Sequence, residues 1–418
     1  MKFDVLGVYL QVGKNEVRVG SLVRDQIGMI RFDVDESYIA LGEYRPIFSS
    51  SLLRVGDEED TQRLLRGGEI TRAGRDVPPW FANLLPEGAL RDLVLKGMPT
   101  GTTSNFDVLR WLGSDLPGAV IIRDEGANPL PTISPGEPST TRDIRFSLAG
   151  VQLKMSMQKQ DERLTIPAMG GMGNIIAKLP SERYRALVEN EYSSMKLAQA
   201  AGVTIPELEL VPTSNLEGVD ADLLKGGSLA LAVKRFDRTN DGGRTHIEDF
   251  LQILGAMPDR KYAAANEETV MRVATRLGGG TNAFLEAVRR IVVNIILGNT
   301  DAHVKNWSLW YPSPATGQLS PAYDIVATVV YDQSESMALR FRSTHDSRII
   351  DTDGFKRAAS FVGVSEAKTR REVRQVVEQA ADTWATMLEE LPMPDDQAAI
   401  IIQRSKSLAV MQEFEKEL

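Results

Sequence analysis

The chain has 418 residues, 42% of them hydrophobic and 25% charged, and 48 Lys and Arg against 57 Asp and Glu give a net charge of −9. That length suits two or three packed lobes rather than one small core, and the acidity argues against a protein whose main task is gripping nucleic-acid phosphates. With no cysteine and only three histidines (His246, His303, His345), a disulfide framework, a thiolate zinc site and a cysteine nucleophile are excluded.

The opening "MKFDVLGVYLQVGK" is not a signal peptide, because Asp4 and Gly7 interrupt its apolar core. No apolar run reaches membrane-spanning length, so the expected compartment is the cytoplasm. Up to about residue 55 the pattern predicts strands: "VLGVYLQ", "EVRVGSLV" and "MIRFDV" are short and β-branched, with Gly and Asp-Gln turns between them. "VPPWFANLLPEGALRDLVLKG" (77–97) predicts a helix from Pro79 onward, "NFDVLRWLG" a second short helix and "GAVIIRD" a buried strand. Residues 124–141 carry four prolines and no periodic apolar face, which predicts a linker.

A second β-rich block follows. "IRFSLAG", "VQLKMSMQ", "RLTIPA" and "NIIAKLP" predict a meander, with "GGMG" (170–173) at a hairpin tip rather than in a phosphate loop. "SERYRALVENEYSSMKLAQAAGV" predicts an amphipathic helix with Leu187, Tyr192, Met195 and Leu197 inward, and "IPELELVPT" and "SLALAVKRFDR" are again strands. From about Glu248 the chain reads as mostly helical, interrupted by "NTDAHVKNWSL" (299–309) and "LSPAYDIVAT". The expected division is a β-rich subdomain over 1–125, a linker over 126–141, a β lobe over 142–238 and a helical lobe over 239–418. A β lobe followed by a helical lobe, with polar motifs near the junction, is the layout of a two-lobed nucleotide-binding enzyme, by analogy of fold alone.

"NTDAHVKNWSL" places two acidic or amide groups, a histidine and a lysine between apolar runs. Asp301 and Asn306 have the D-x-x-x-x-N spacing of a kinase catalytic loop, in which the Asp takes the proton of an attacking hydroxyl and the Asn coordinates Mg²⁺. Alone the spacing is weak, since it arises by chance about once in such a chain, and an Asp-Asn pair in a loop also serves as turn chemistry. Order supplies the context. Lys178 interrupts the apolar strand "NIIAKLP", Glu189 or Glu191 follows on a helix, and Asp324 comes after the loop in "SPAYDIVAT". Two acidic groups and an amide suit a hard cation. The bland readings are that Asp324 caps the next segment, Lys178 snorkels from a strand end, His303 is a structural hydrogen bonder, and Lys305 pairs with a neighbouring carboxylate instead of a phosphate.

In that order the motifs resemble the HipA family of toxin serine/threonine kinases along nearly the whole chain. "WFANLLPEG" (80–88) is similar to the family's N-terminal motif and "FSLAGVQLKMSM" (146–157) to its phosphate-side loop. "VENEYSSMKLAQAAGV", "VKRFDR", "HIEDFLQILG", "GNTDAHVKNWSL" and "LSPAYDIVAT" match in order and rough spacing. The resemblance implies a two-lobed α+β protein-kinase-like fold, related to the lipid kinases, that uses ATP and Mg²⁺.

It further implies Asp301 as catalytic base, Asn306 and Asp324 as Mg²⁺ ligands, and Lys178 on the ATP phosphates. The backbone of Lys234 and Phe236 would read adenine as a hinge, so that side-chain identity there says little. Ala149, Gly150, Val151, Gln152 and Lys154 would form the phosphate-side loop, with His303 and Lys305 facing the nucleotide. Ser147 matches the family's autophosphorylated serine, whose phosphate, at about −1.5 to −2 charge, would be repelled from the triphosphate site and inactivate the enzyme. Leu153 departs from the family's usual Pro. The implied partners are a HipB-like helix-turn-helix antitoxin, through which DNA is reached, and an aminoacyl-tRNA synthetase as substrate, the glutamyl enzyme first. The alternatives are a HipA-like kinase acting on another protein or a small molecule, and a kinase-fold co-repressor without transfer activity. The presence of Lys178, Asp301, Asn306 and Asp324 together argues against the last.

Overall fold

The computed structural model describes residues 3–54, 56–99, 101, 103–113, 115–126, 152–167, 172–239 and 241–415. The strand expected in "IRFSLAG", most of the linker, and Ser147, Ala149, Gly150 and Val151 lie outside the described residues.

The N-terminal part builds a four-stranded antiparallel sheet in the order β3-β2-β1-β4, from β1 (Asp4–Val12), β2 (Asn15–Arg24), β3 (Ile30–Val34) and β4 (Val120–Asp124). The period-two pattern puts Leu6, Val8 and Leu10 inward at 0–1% exposure. Gly13, at φ +61°, allows the two-residue turn that joins β1 to β2. Between β3 and β4 run helices α1 (Glu36–Ile39), α2 (Glu58–Gly67), α3 (Pro79–Ala82), α4 (Gly88–Gly97) and α5 (Asn105–Leu112).

The single helix expected after Pro79 is thus two. Pro86 lacks an N–H and disfavours helical backbone at Leu85 before it, so the chain leaves the helix after Ala82 and re-enters at Gly88. Asn83 closes α3 as its C-cap, still in helical geometry, and the break releases Glu87, which is extended at φ −117°.

The next lobe contains β5 (Lys154–Gln160), β6 (Arg163–Thr165), β7 (Ile175–Lys178), α6 (Leu187–Ala200), β8 (Leu208–Pro212), β9 (Leu216–Glu217) and β10 (Leu229–Lys234). Its sheet runs β8-β10-β7-β5-β6-β9. It is not the expected meander, because β5 pairs with β6 on one edge and β7 on the other. Two neighbouring strands therefore each carry an inward lysine, Lys154 and Lys178. Helix α6 buries Met195 and Leu197 as expected, but Leu187 and Tyr192 are only half-buried, and Asn190, Glu191, Ser193 and Ser194 are buried in their place. Asn190 explains part of this. It donates to the Ala327 carbonyl (3.2 Å) and accepts from the Ala327 N–H (2.9 Å), so the helix meets a loop with hydrogen bonds rather than with an apolar stripe.

The C-terminal lobe is helical with two small sheets the sequence did not show. Strands β11 (His246–Asp249), β12 (Ser308–Ser313) and β13 (Thr316–Leu319) form one, and β14 (Ser336–Phe341) and β15 (Thr344–Asp346) a hairpin. The helices are α7 (Phe250–Ile253), α8 (Glu267–Leu277), α9 (Gly280–Leu297), α10 (Thr352–Val362), α11 (Glu366–Glu390), α12 (Asp395–Ser405) and α13 (Ala409–Glu415).

Two apolar cores result. One joins the N-terminal sheet to the second lobe, with Leu6, Phe32 and Trp80 in the same cluster as Met155, Ala177 and Ala230. The other joins Met195 and Leu197 of α6 to Ile291 of α9 and Trp384 of α11. Each large side chain fully buried there contributes about 1.5–3 kcal/mol. The polar motifs lie along the seam between the two cores.

Candidate active site

Lys178, at the end of β7, is buried, and its Nζ bonds both Glu191 Oε1 of α6 and Asp324 Oδ1. Of the two glutamates expected to hold it, Glu191 does so. Burial disfavours the charged lysine, but Asp324 and Glu191 outweigh it and hold the ammonium above its ordinary value. Glu191 is pushed up by its burial in spite of Lys178. Lys154 on β5 stands opposite Lys178 in the ladder and lies 3.5 Å from Asp324 Oδ2. Burial pushes Lys154 down, and the facing Lys178 adds to that. Asp324 has φ +57°, a left-handed conformation that Asp tolerates better than most residues. Burial would raise its carboxyl, yet Lys154 and Lys178 hold it well below the usual carboxylate range.

The catalytic-loop motif begins where α9 stops. Gly298 caps that helix at φ +70°, and a Cβ there would sit 2.6 Å from Val329 Cγ1. The loop is then stitched to the Asp324 segment. Asn299 Nδ2 donates to the Asp324 carbonyl (3.4 Å), the Thr300 N–H donates to Thr328 Oγ1 (2.7 Å), and Tyr323 Oη donates to the Lys305 carbonyl (3.0 Å). These bonds fix Asp301 relative to Asp324. Asn306 Nδ2 donates to the Asp301 carbonyl (3.1 Å), which leaves its Oδ1 as the atom for a cation. Asp301 Oδ1 accepts from Tyr262 Oη at 2.5 Å.

His303 is buried with its Nδ1 unpartnered, and its ring meets Tyr262 edge-on at 5.2 Å. The structural hydrogen bond expected of it is not made by its side chain among the described residues. Burial depresses its pKa to about 4, so it is neutral at ordinary pH. Lys305 takes the carboxylate option at 2.5 Å from Glu87 Oε1.

Lys154, Lys178, Glu191, Asp301, His303, Lys305, Asn306 and Asp324 all line one cavity of about 650 Å³, within the range of small-molecule sites. Gln152, Lys234 and Phe236 line it too. The Lys234 N–H is bonded to the Glu207 carbonyl (2.9 Å), and the Phe236 N–H bonds nothing among the described residues. A hinge would therefore use the Lys234 carbonyl and the Phe236 N–H.

The side chains of "VKRFDR" say more than expected. Arg235 and Arg238 both clasp Asp237 (2.7 and 2.8 Å), and the Gly118 N–H donates to it at 2.8 Å. Burial would raise Asp237, but Arg235 and Arg238 hold it far below its ordinary value. This buried cluster ties the end of β10 to the loop before β4. Sequence reasoning also missed Asp249, which lines the cavity, caps α7 and is pushed up to about 6 by burial. It further missed Tyr262 and Glu87. A tyrosine in a polar loop and a glutamate beside Gly carry no periodic signal.

Among the described residues no group of three or more His, Cys, Asp or Glu could cage a metal. Asn306 and Asp324 fit the sparser seat of Mg²⁺, which takes one or two carboxylates and completes its shell with phosphates and water.

Fold and site together define a two-lobed protein-kinase-like α+β enzyme. Residues 146–384 match the model of the HipA-like C-terminal domain and residues 10–123 that of the HipA N-terminal domain; the chain belongs to the HipA family. A Sinorhizobium fredii protein named "Putative kinase Y4dM" is 37% identical over 95% of this chain and 96% of its own length. "Putative kinase Y4mE" of the same organism is 30% identical over 89% of this chain and 90% of its own. The "Serine/threonine-protein kinase toxin HipA" of Shewanella oneidensis is 25% identical over 63% and 66%. The same fold is seen in a Shewanella oneidensis HipA structure, solved with HipB and operator DNA, with TM-score 0.71 over 98% of this chain and 97% of that one at 20% identity. No described helix is long and apolar enough to cross a membrane.

Proposed function

We propose that the chain is an ATP- and Mg²⁺-dependent serine/threonine kinase that acts as a growth-inhibiting toxin. One observation carries the reading: Lys178 sits between Glu191 and Asp324 on the same cavity as Asp301 and Asn306. In this reading Lys178 and Lys154 exchange Asp324 for ATP phosphates, and the Lys234 carbonyl and Phe236 N–H hold adenine. Gln152 and Lys154 continue a phosphate-side loop from Ala149, Gly150 and Val151. Lys305 and neutral His303 border the transferring phosphate. Asp301 orients the acceptor hydroxyl and takes its proton. Asn306 and Asp324 would hold Mg²⁺, which neutralises charge on the phosphate oxygens when bound.

The proposed acceptors are a serine of an aminoacyl-tRNA synthetase, the glutamyl enzyme first, and Ser147 of the chain itself, whose phosphate would switch the enzyme off by repelling ATP. The proposed partner is a HipB-like helix-turn-helix antitoxin that carries the acidic kinase to DNA. The Shewanella complex, which holds HipA, HipB and operator DNA, supports that pairing. The proposed compartment is the cytoplasm.

The test is transfer from labelled ATP to the protein itself and to lysate proteins, for wild type and Asp301→Asn. The variant should lose about 10²–10⁴-fold in rate and keep its ATP affinity within about threefold. Transfer at the wild-type rate would remove Asp301 from the mechanism, and a label mapped away from Ser147 would remove the self-inactivation.

A further inference from the structure

Two residues of the N-terminal subdomain reach the seam, Asn83 at the end of α3 on the cavity wall and Glu87 just before α4 on the lysines beside it. Asn83 is 5% exposed and lines the cavity, and its Oδ1 is buried with no partner while its Nδ2 holds the Pro79 and Ala256 carbonyls. Glu87 reaches further. Its Oε1 accepts from Lys305 Nζ at 2.5 Å and its Oε2 from Lys261 Nζ at 3.3 Å. Lys305 directly precedes Asn306, and Lys261 directly precedes Tyr262, the residue bonded to Asp301. One carboxylate therefore spans the two segments that frame the proposed base.

The pairing is needed where it stands. Lys305 is 7% exposed, and its one other acceptor among the described residues is the Asn83 carbonyl, at 3.5 Å. A buried ammonium without a counter-charge is costly and moves to whatever anion it can reach. Asp249, on the same cavity and raised overall by its burial, is another carboxylate within electrostatic reach of Lys305. A shift of Lys305 toward Asp249 would carry the neighbouring Asn306 with it. Burial alone would raise Glu87, but Lys305 and Lys261 keep it below its ordinary value, so the clamp is charged at any working pH.

We propose that Glu87 is a positioning residue for phosphoryl transfer: supplied by the N-terminal subdomain, it clamps Lys305 of the catalytic loop and Lys261 beside Tyr262, so that this subdomain completes the site. The proposal rests on the kinase reading above. The experiment compares Glu87→Gln, Glu87→Asp, Lys305→Met and the Glu87→Gln/Lys305→Met double variant in the full chain. Steady-state transfer from labelled ATP, nucleotide affinity by calorimetry, thermal melting, and reductive methylation of lysines read by mass spectrometry are measured on each.

Glu87→Gln should lose at least tenfold in kcat with KM for ATP within twofold and a melting temperature close to wild type. Glu87→Asp should recover most of the rate. The double variant should lose far less than the product of the two single losses, because both singles break the Glu87–Lys305 pair. Methylation of Lys305 should rise several-fold in Glu87→Gln while that of Lys178 stays constant. Wild-type kcat in Glu87→Gln, or losses that multiply independently in the double variant, would overturn the proposal; so would unchanged Lys305 methylation. A wild-type protein that transfers no phosphate, with Lys305 methylation still governed by Glu87, would instead overturn the kinase reading and leave the clamp standing.

Discussion

Lys154 and Lys178 face each other across adjacent antiparallel strands and share one carboxylate, that of Asp324. Like charges directly opposite in a ladder repel, and here Asp324 and Glu191 offset them. The two lysines are not equivalent. Among the described residues Lys178 makes the one ion pair with Glu191, which is 1% exposed. Lys178→Met leaves that carboxylate buried and unpaired, and breaking such a pair costs about 3–5 kcal/mol. Lys154→Met relieves a like-charge contact and leaves Asp324 still held by Lys178. The expected result is a large fall in melting temperature together with lost ATP affinity for Lys178→Met. Lys154→Met should lose ATP affinity with stability changed by less than about 1 kcal/mol. Equal melting temperatures for the two variants would contradict this division.

Asp324 is now spent on two ammonium groups that a triphosphate would claim. Asp324→Asn therefore frees both lysines for phosphate while removing one of the two proposed cation ligands. The expected outcome is ATP affinity in EDTA raised by several-fold, and stimulation of transfer by Mg²⁺ abolished. Calorimetry in EDTA measures the first, and transfer from labelled ATP with and without Mg²⁺ the second. Weaker binding of metal-free ATP by the variant would show that Asp324 shapes the lysines rather than competing for them.

Part of this site was legible in sequence because its members are anomalous one at a time. Lys178 breaks an apolar strand, and Asp301, Asn306 and Asp324 are polar groups between buried runs. What stayed hidden is relational. That Lys154 lies opposite Lys178 depends on β5 sitting between β6 and β7, which local periodicity cannot decide. The polar inner face of α6 depends on a loop well over a hundred residues away, reached through Asn190 and Ala327. The Arg235–Asp237–Arg238 cluster needs the Gly118 loop to have a meaning. The small sheets of the C-terminal lobe were missed because β11 and β13 are four residues each and carry no clear alternation.

His246 gives a pH signature for the seam between subdomains. Its ring is packed among Phe48, Trp80 and Tyr311, its Nε2 lies 2.9 Å from the Phe48 carbonyl, and burial depresses its pKa to about 4. The unfolded chain takes up this proton near pH 6.5 and the folded chain does not, so the contribution is present above pH 6.5 and lost as pH falls toward 4. Between pH 7 and pH 5 the loss is about 2 kcal/mol. Glu248 and Asp249, whose carboxyls burial raises, act in the opposite sense in the same window. The measurement is therefore a difference: His246→Gln should lose less stability than wild type between pH 7 and pH 5. Parallel curves for the two proteins would rule out His246 as the titrating group.

Tyr262 makes the one side-chain hydrogen bond recorded on the Asp301 carboxylate among the described residues, and it does so from the solvent side, where it is 44% exposed. Burial and Asp301 both raise its phenol, so it remains a donor at any working pH. In the proposed mechanism an incoming acceptor hydroxyl donates to the same carboxylate. The phenol thus stands in the acceptor's place, and a hydrogen bond to a charged group is worth about 1.5–3 kcal/mol. Tyr262→Phe removes the competitor while keeping the ring against His303. ATP hydrolysis, in which water is the acceptor, should rise by about tenfold, the lower end of that range, with KM for ATP unchanged. A fall in hydrolysis would mean that the phenol orients Asp301 rather than occupying it. In that case the acceptor would use the second carboxylate oxygen, and Tyr262 would join Glu87 as a proposed positioning residue for Asp301.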